Sequence, residues 1–299
     1  MPALLLHMTL AKETALRPDV PPALAPVLAR ERPALILGSI LPDLPYHSHF
    51  GMQVVRHLLR KEYVLTEWGD VFHTRGTGQL PLAMLSWAVR QQLETAAREK
   101  VLALVAGYLS HHAVDRIGHP PVNRLVQRHR RPGEPVVVVH ARLERIQSLL
   151  YHTDRLGFDI TGTPTPRQMV SEMAGAHLVA RRLERPLWLA LRAASLEVHG
   201  RAPSSRELAD WLWGVTAYGW LLSSPAGSLD GLRGDLGALR STFYQGPDVD
   251  LVTPLRQAAD LTVDYWRAAL DVLGAEQITA EVRAAFLRRV PDVDFSTGA

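Results

Sequence analysis

The sequence predicts an all-α protein. Hydrophobic residues recur at helical spacing nearly throughout, long Ala/Leu/Arg-rich stretches are punctuated by Pro and Gly, and strand-like alternation of β-branched residues is nearly missing. The apolar periodicity places helices over residues 9–16, 22–40, 81–98, 101–117 and 138–151, and further ones over 167–184, 186–198, 206–222, 254–273 and 280–289. Ser204-x-x-Glu207 reads as a capping box opening one helix, and Thr253-Pro254 with Gly274 as the N-cap, first-turn proline and C′ glycine of another. Val136 to Val139 is the one run that prefers a strand, yet it leads straight into a helical pattern and is expected to join it. Residues 200–205 read as a linker between helices, and Trp188, Trp211, Trp213, Trp220 and Trp266, on helical apolar faces, as core.

A chain of 299 residues, 47% hydrophobic and 21% charged, can bury a sizeable core in one or two domains. Histidine divides it: eleven of the thirteen lie within the first 152 residues. We therefore expect a metal-binding helical core over 1–152 and additional helices over 153–299 packed on the same domain. Cysteine is absent, which excludes disulfide scaffolds, thiolate zinc fingers, iron–sulfur clusters and cysteine nucleophiles. Any metal must sit on nitrogen and oxygen. The formal charge is only +3, and no block of like charges occurs, which argues against a dedicated nucleic-acid groove or a polybasic membrane arm. Only Lys12, Lys61 and Lys100 of the basic residues are lysines, as coding bias would give. With no basic leader, no small-x-small cleavage site and no long apolar run, the expectation is a cytoplasmic protein without a transmembrane segment. Its oligomeric state is left open.

Two pairs carry the chemistry: His111-x-x-x-Asp115, followed by His119, and His140-x-x-x-Glu144. Residues four apart on a helix project from one face and can close on one ion. A single such pair is ordinarily a solvated surface pair. The setting argues otherwise for the first, because an apolar run from Val101 to Leu109 leads into His111, where an unpartnered polar group is costly. Asp43, directly after an apolar helix end, and His73, where another apolar segment breaks, add a carboxylate and an imidazole to the pool.

In this order the residues resemble the zinc-dependent phospholipase C and P1 nuclease superfamily. That pattern is an early His, an Asp, a His, a His-x-x-x-Asp, a nearby His and a final His-x-x-x-Glu or His-x-x-x-Asp. Here it stands as His7, Asp43, His73, His111 with Asp115, His119, and His140 with Glu144, over about residues 1–152. The phrases Gly-Ser-Ile-Leu-Pro-Asp and Gly-Tyr-Leu-Ser-His-His-Ala-Val-Asp-Arg-Ile-Gly-His-Pro are similar to bacterial members. The fold implied is a multi-helix, phospholipase C/P1 nuclease-like bundle with a polynuclear zinc site. By that similarity Asp43, His73, His111 and Asp115 would hold one Zn²⁺, and His119, His140 and Glu144 a second. A third would be bridged by Asp115 and held by His7 and the chain's amino terminus. There the sequence departs from secreted members, which expose a processed Trp, whereas this chain starts Met1-Pro2. His7 either ligates with the terminus, ligates without it, or caps the helix that follows.

The resemblance implies a zinc-dependent hydrolase that cleaves a phosphoester with zinc-activated water, Asp43 being the residue to orient or deprotonate that water. Its partner would be a small-molecule or phosphoester substrate. Two other readings stay open: a tailoring enzyme hydrolysing or cyclising a non-phosphate ester or amide at the same zinc site, and a non-catalytic helical protein stapled by metal. Arg75 and Arg116 are near enough in sequence to clamp phosphate, but are read first as surface or ion-pair residues. His47, His49 and His57 are read as surface or supporting residues, His112 as a core histidine, and His129 as solvated. Tyr46, Phe50, Trp68 and Phe72 are read as ordinary packing or pocket walls. The chain lacks His-Glu-x-x-His, His-Asp, Glu-x-x-His, Gly-x-Ser-x-Gly and a P-loop, which removes the common rival hydrolase and di-iron signatures.

Overall fold

The computed structural model describes residues 3–58, 66–175, 177–178, 182–230, 232 and 234–298, and among them the fold is almost wholly helical. The chain opens with α1 (Ala3–Ala15), α2 (Ala25–Arg30), α3 (Arg32–Gly38), α4 (Phe50–Leu58), α5 (Glu67–Thr74) and α6 (Gln79–Arg90). Two long helices follow, α7 (Thr95–His129) and α8 (Val136–Leu156), then α9 (Thr165–Ser171), α10 (Arg185–His199) and α11 (Ser205–Leu222). The chain closes with α12 (Leu236–Phe243), α13 (Val252–Gly274) and α14 (Ala280–Arg289). Two antiparallel ribbons, β1 (His177–Leu178) with β2 (Arg182–Leu183) and β3 (Gln245–Gly246) with β4 (Val249–Asp250), are the only strands described. None of the described helices is long and apolar enough to cross a membrane.

The 22–40 helix expected from periodicity is two helices, because Glu31 leaves helical geometry (φ −98°, ψ 32°) and Pro33, which lacks an N–H, sits in the first turn of α3. In contrast, α7 absorbs the expected 101–117 helix and continues through Pro120 and Pro121 to His129. The 167–184 helix stops at Ser171, passes into a 3₁₀ turn (Glu172–Gly175) and gives way to the first ribbon; residues 176 and 179–181 of that expectation lie outside the described residues. Helices α4, α5 and α12, too short for a clear period, were not expected. Val136 to Val139 are helical, as tertiary context required. The capping box holds: the Glu207 amide donates to Ser204 Oγ (3.2 Å) and the Ser204 amide to Glu207 Oε2 (2.7 Å). At α13 the cap differs, since Thr253 lies inside the helix and its amide donates to Asp250 Oδ1 (3.0 Å), while Gly274 is the last helical residue rather than C′.

One apolar core runs from Leu4 and Leu5 of α1 through Ile36, Leu104 and Leu191 to Trp266 and Phe295 near the end of the chain. Trp211 and Trp266 belong to it, whereas Trp213 and Trp220 are exposed, and Arg167 lies over the Trp220 ring at 4.5 Å, so the core reading fails for those two. Helix α3 crosses α7 at close range. A Cβ on Gly38 would stand 1.9 Å from the Leu104 carbonyl oxygen, and one on Gly107 2.0 Å from the Leu35 oxygen, so only glycine permits this approach. It brings the end of α3 against the turn of α7 that carries His111.

Gly107→Ala is therefore expected to lower unfolding free energy by at least about 1–3 kcal/mol, since the clash is with backbone and cannot be relieved by a rotamer. Urea denaturation of the variant against wild type measures it, and an unchanged midpoint would contradict the close crossing.

Candidate metal centre

His7 comes from α1, Asp43 from the turn after α3, His73 from the last turn of α5, His111, Asp115 and His119 from one face of α7, and His140 and Glu144 from α8. Five segments of the chain thus converge. Their ligand atoms fall into three groups: His7 with His111 and Asp115; Asp43 with His73 and His111; and His119 with His140 and Glu144, each within 4.8 Å. His111 belongs to two groups. Asp115 links them further, with Oδ2 3.0 Å from His111 Nε2 and Oδ1 3.2 Å from His7 Nε2 and 3.9 Å from His119 Nε2. His7 stacks on His111 with ring centroids 4.1 Å apart. Because α1 begins at Ala3, His7 stands inside the helix, which removes the reading of it as a cap. The amino terminus, the expected third-site ligand, lies outside the described residues, as do the side chain of His57 and all of Lys61.

The tautomers are fixed by what the far side of each ring meets. His73 Nδ1 donates to the Gly69 carbonyl (2.8 Å), His111 Nδ1 to the Ser39 carbonyl (3.0 Å), and His119 Nδ1 to the Phe295 carbonyl. A carbonyl only accepts, so each Nδ1 carries the hydrogen and each neutral ring turns a bare Nε2 lone pair inward. Those lone pairs face carboxylate oxygens: His73 to Asp43 at 3.2 Å, His111 to Asp115 at 3.0 Å, His119 to Glu144 at 3.1 Å. On the second helix His140 Nε2 is also 3.1 Å from Glu144 Oε1. Lone pair against anionic oxygen is repulsive unless a cation lies between, either a proton on each ring or a metal ion.

The donor set fits zinc. Nitrogen and carboxylate ligands about 2.0–2.2 Å from a tetrahedral ion stand about 3.3 Å from one another, close to the spacings here. His111 Nε2 and His7 Nδ1 are fully buried with no hydrogen-bond partner, although His111 Nε2 is 3.0 Å from Asp115. Hydrogen bonds from the far ring nitrogen to a carbonyl are also what hold metal-bound imidazoles in place.

Without metal, protons must supply the compensating charge. Burial disfavours the ionised carboxylates, but the facing imidazoles outweigh it: His111 and His73 beside Asp43, His111, His119 and His7 beside Asp115, and His119 and His140 beside Glu144 hold all three below their usual range. Burial likewise opposes a charged His119, yet Asp115 and the hydrogen-bonded Glu144 raise it to about 9. His111 is raised in the same way, against burial, by Asp115 and Asp43.

His47 is buried, and burial lowers it to about 4, so it is a neutral core imidazole beside Tyr218 (5.3 Å) rather than a surface residue; His49 is exposed. His112 is the core histidine expected, pushed down to about 4 by burial, with Nε2 donating to the Pro291 carbonyl (2.8 Å). His129 is half-buried against Phe243 (4.9 Å) rather than solvated. Arg116 donates to the Tyr265 hydroxyl (2.8 Å), and Arg75 is exposed. Trp68 and Phe72 pack in the core 5.2 Å apart, while Tyr46 leans on His73 at 5.0 Å. The sequence reading missed Ser39, Gly69 and Phe295, which act through backbone carbonyls and so leave no residue-type signal. Gly107, an isolated glycine in an apolar helix, was a signal of close approach.

A helical bundle that gathers carboxylates and imidazoles from five segments has the donor set of a metal-centre protein. The family model described as zinc dependent phospholipase C matches residues 6–176, more than half of the chain, and the protein belongs to that family. At the family level it is a zinc-dependent phosphoester hydrolase. No curated protein and no solved structure matches the chain.

Protonation of the cluster makes the stability of the metal-free protein depend on pH. His119 is raised, so its contribution to stability is complete below 6.5 and is lost as pH climbs through about 9, a change of order 3 kcal/mol. Asp115 and Glu144 are lowered, so theirs is complete above ordinary values of 3.8 and 4.5 and is lost as pH falls below them. Chelator-treated protein should melt highest between about pH 4.5 and 6.5, and zinc should abolish the alkaline decline, as calorimetry at several pH values would record.

Proposed function

We propose that the protein hydrolyses a phosphoester, as phospholipase C does, at a centre of two zinc ions. His119, His140 and Glu144 would hold one, and Asp43, His73, His111 and Asp115 the other; His7 would contribute to a third ion bridged by Asp115. The observation that carries the reading is the set of three imidazoles with Nδ1 pinned by backbone carbonyls and Nε2 turned onto carboxylates.

When bound, zinc would supply a water of pKa about 7 and charge stabilisation for the phosphoryl oxygens. The protein's own part is orientation and proton handling. Asp43 is the candidate to orient the attacking water and take its proton, because its side chain, 18% exposed, is the most open of the three carboxylates, against 4% for Asp115 and 14% for Glu144. Its ionised form, maintained by His111 and His73, is the form that can accept a proton. Asp115 and the ring of His111 are sealed from solvent, which suits them to holding charge in place rather than to meeting substrate.

Elemental analysis of the purified protein should give at least two zincs per chain. His111→Ala, which removes the residue shared by two groups, should lose more metal than Glu144→Ala, which removes one ligand of the third group. Full metal content in both variants would refute the assignment. On zinc-loaded protein, Asp43→Asn should lower kcat by about 10²-fold or more against a phosphodiester. A matched panel of carboxylic esters decides the chemistry: turnover of esters alone would move the reaction from phosphorus to carbonyl.

A further inference from the structure

Every ring nitrogen that fixes a ligand tautomer within the family-matched span is held by that span itself, except one. The acceptor for His119 Nδ1 is the carbonyl of Phe295, in the segment after α14 and far outside residues 6–176. The same residue's N–H donates to the His73 carbonyl (2.7 Å), so Phe295 joins the backbone of one candidate ligand to the ring of another. Its side chain is fully buried and stands 5.7 Å from His73, 5.5 Å from His111 and 5.0 Å from His112, ring centroid to ring centroid.

The rest of the segment is tied down at each end. Thr77 Oγ1 donates to the Val293 carbonyl and accepts from the Val293 amide, both at 2.8 Å. Asp292 accepts from the amides of Gly78 and Gln79 at the start of α6 (2.8 and 3.1 Å). His112 donates to the Pro291 carbonyl, and Asn123 to the Ser296 carbonyl, both at 2.8 Å. Thus α7 uses adjacent histidines for different work: His111 faces the cluster and His112 holds the segment that backs it.

We infer that residues 291–298 form a strap that belongs to the metal centre, with Phe295 as a positioning residue: its carbonyl sets the His119 tautomer and its ring closes the dry wall behind His73 and His111. The inference rests on the zinc reading of the site. A neutral imidazole that loses its far-side acceptor can present either nitrogen, and removal of such a partner commonly costs about 10–100-fold in metal affinity. The strap therefore sets affinity and geometry without touching substrate.

The test compares the full chain with a truncation ending at Asp294 and with Thr77→Val, which cuts both Val293 hydrogen bonds but leaves every metal-facing atom. Zn²⁺ affinity by dye competition and the visible spectrum of Co²⁺-loaded protein are read, alongside the apoprotein melt. Wild type should bind tightly; the truncation, if it melts cooperatively, should bind one ion about 10–100-fold more weakly with altered Co²⁺ bands. If the truncation does not fold, Thr77→Val decides, and it should shift the same bands with at least a several-fold weaker ion. Wild-type affinity and an unchanged Co²⁺ spectrum in the deciding variant would overturn the strap while leaving the zinc reading intact. A wild-type chain that binds no Zn²⁺ would overturn both.

Discussion

Charge compensation among Asp43, Asp115 and Glu144 is the constraint on which the rest of the structure depends. Three ionised carboxylates drawn into a helical core would cost far more than a protein's net stability if left alone. The imidazoles of His7, His73, His111, His119 and His140 face them, each within about a hydrogen bond's length of a carboxylate oxygen. Because carbonyl acceptors occupy Nδ1 of three rings, the charge needed at Nε2 must come from a proton or a metal. A bundle built around this cluster consequently depends on bound protons or bound metal for its electrostatic balance.

The scaffold serves that geometry. Gly38 and Gly107 let α3 press onto α7 until the Ser39 carbonyl reaches His111, and α1 lies close enough for His7 to stack on the same ring. Long α7 places His111, Asp115 and His119 in one row at spacing four, and α8 brings His140 and Glu144 against its far end. Loss of a close contact on one side, such as the glycine crossing, would therefore be felt as a change of ligand geometry as well as of packing.

How much of this was legible follows from which relations are local. The helical class came from period alone, and the His111–Asp115 and His140–Glu144 pairs from spacing four, because both depend only on neighbours along one helix. His7, Asp43 and His73 could be attached to those pairs only through the ordered resemblance, since the fold, not spacing, brings them near. Short α4 and α5 gave too few turns for a period, and the break at Glu31 needed the geometry of the residue before Arg32 and Pro33. Trp213 and Trp220 stand on the side of α11 roughly opposite Trp211, so the 3.6-residue period, applied residue by residue, separates them from the buried face that Leu208, Trp211, Leu212 and Val215 form. The carbonyls of Ser39, Gly69 and Phe295 were illegible, because every residue carries one.

The same arithmetic bears on substrate choice. Three carboxylates bring three negative charges, and with neutral imidazoles the bare cluster would repel a phosphoester anion. Two divalent ions would turn that sum from −3 to +1, and a third to +3, so metal loading would itself create an attraction for phosphate. The surroundings agree: Arg116 is occupied by Tyr265, Arg75 points to solvent, and the chain as a whole is nearly neutral at +3. A neutral ester would gain no such attraction, which is the physical ground for ranking phosphorus above carbonyl as the site of attack.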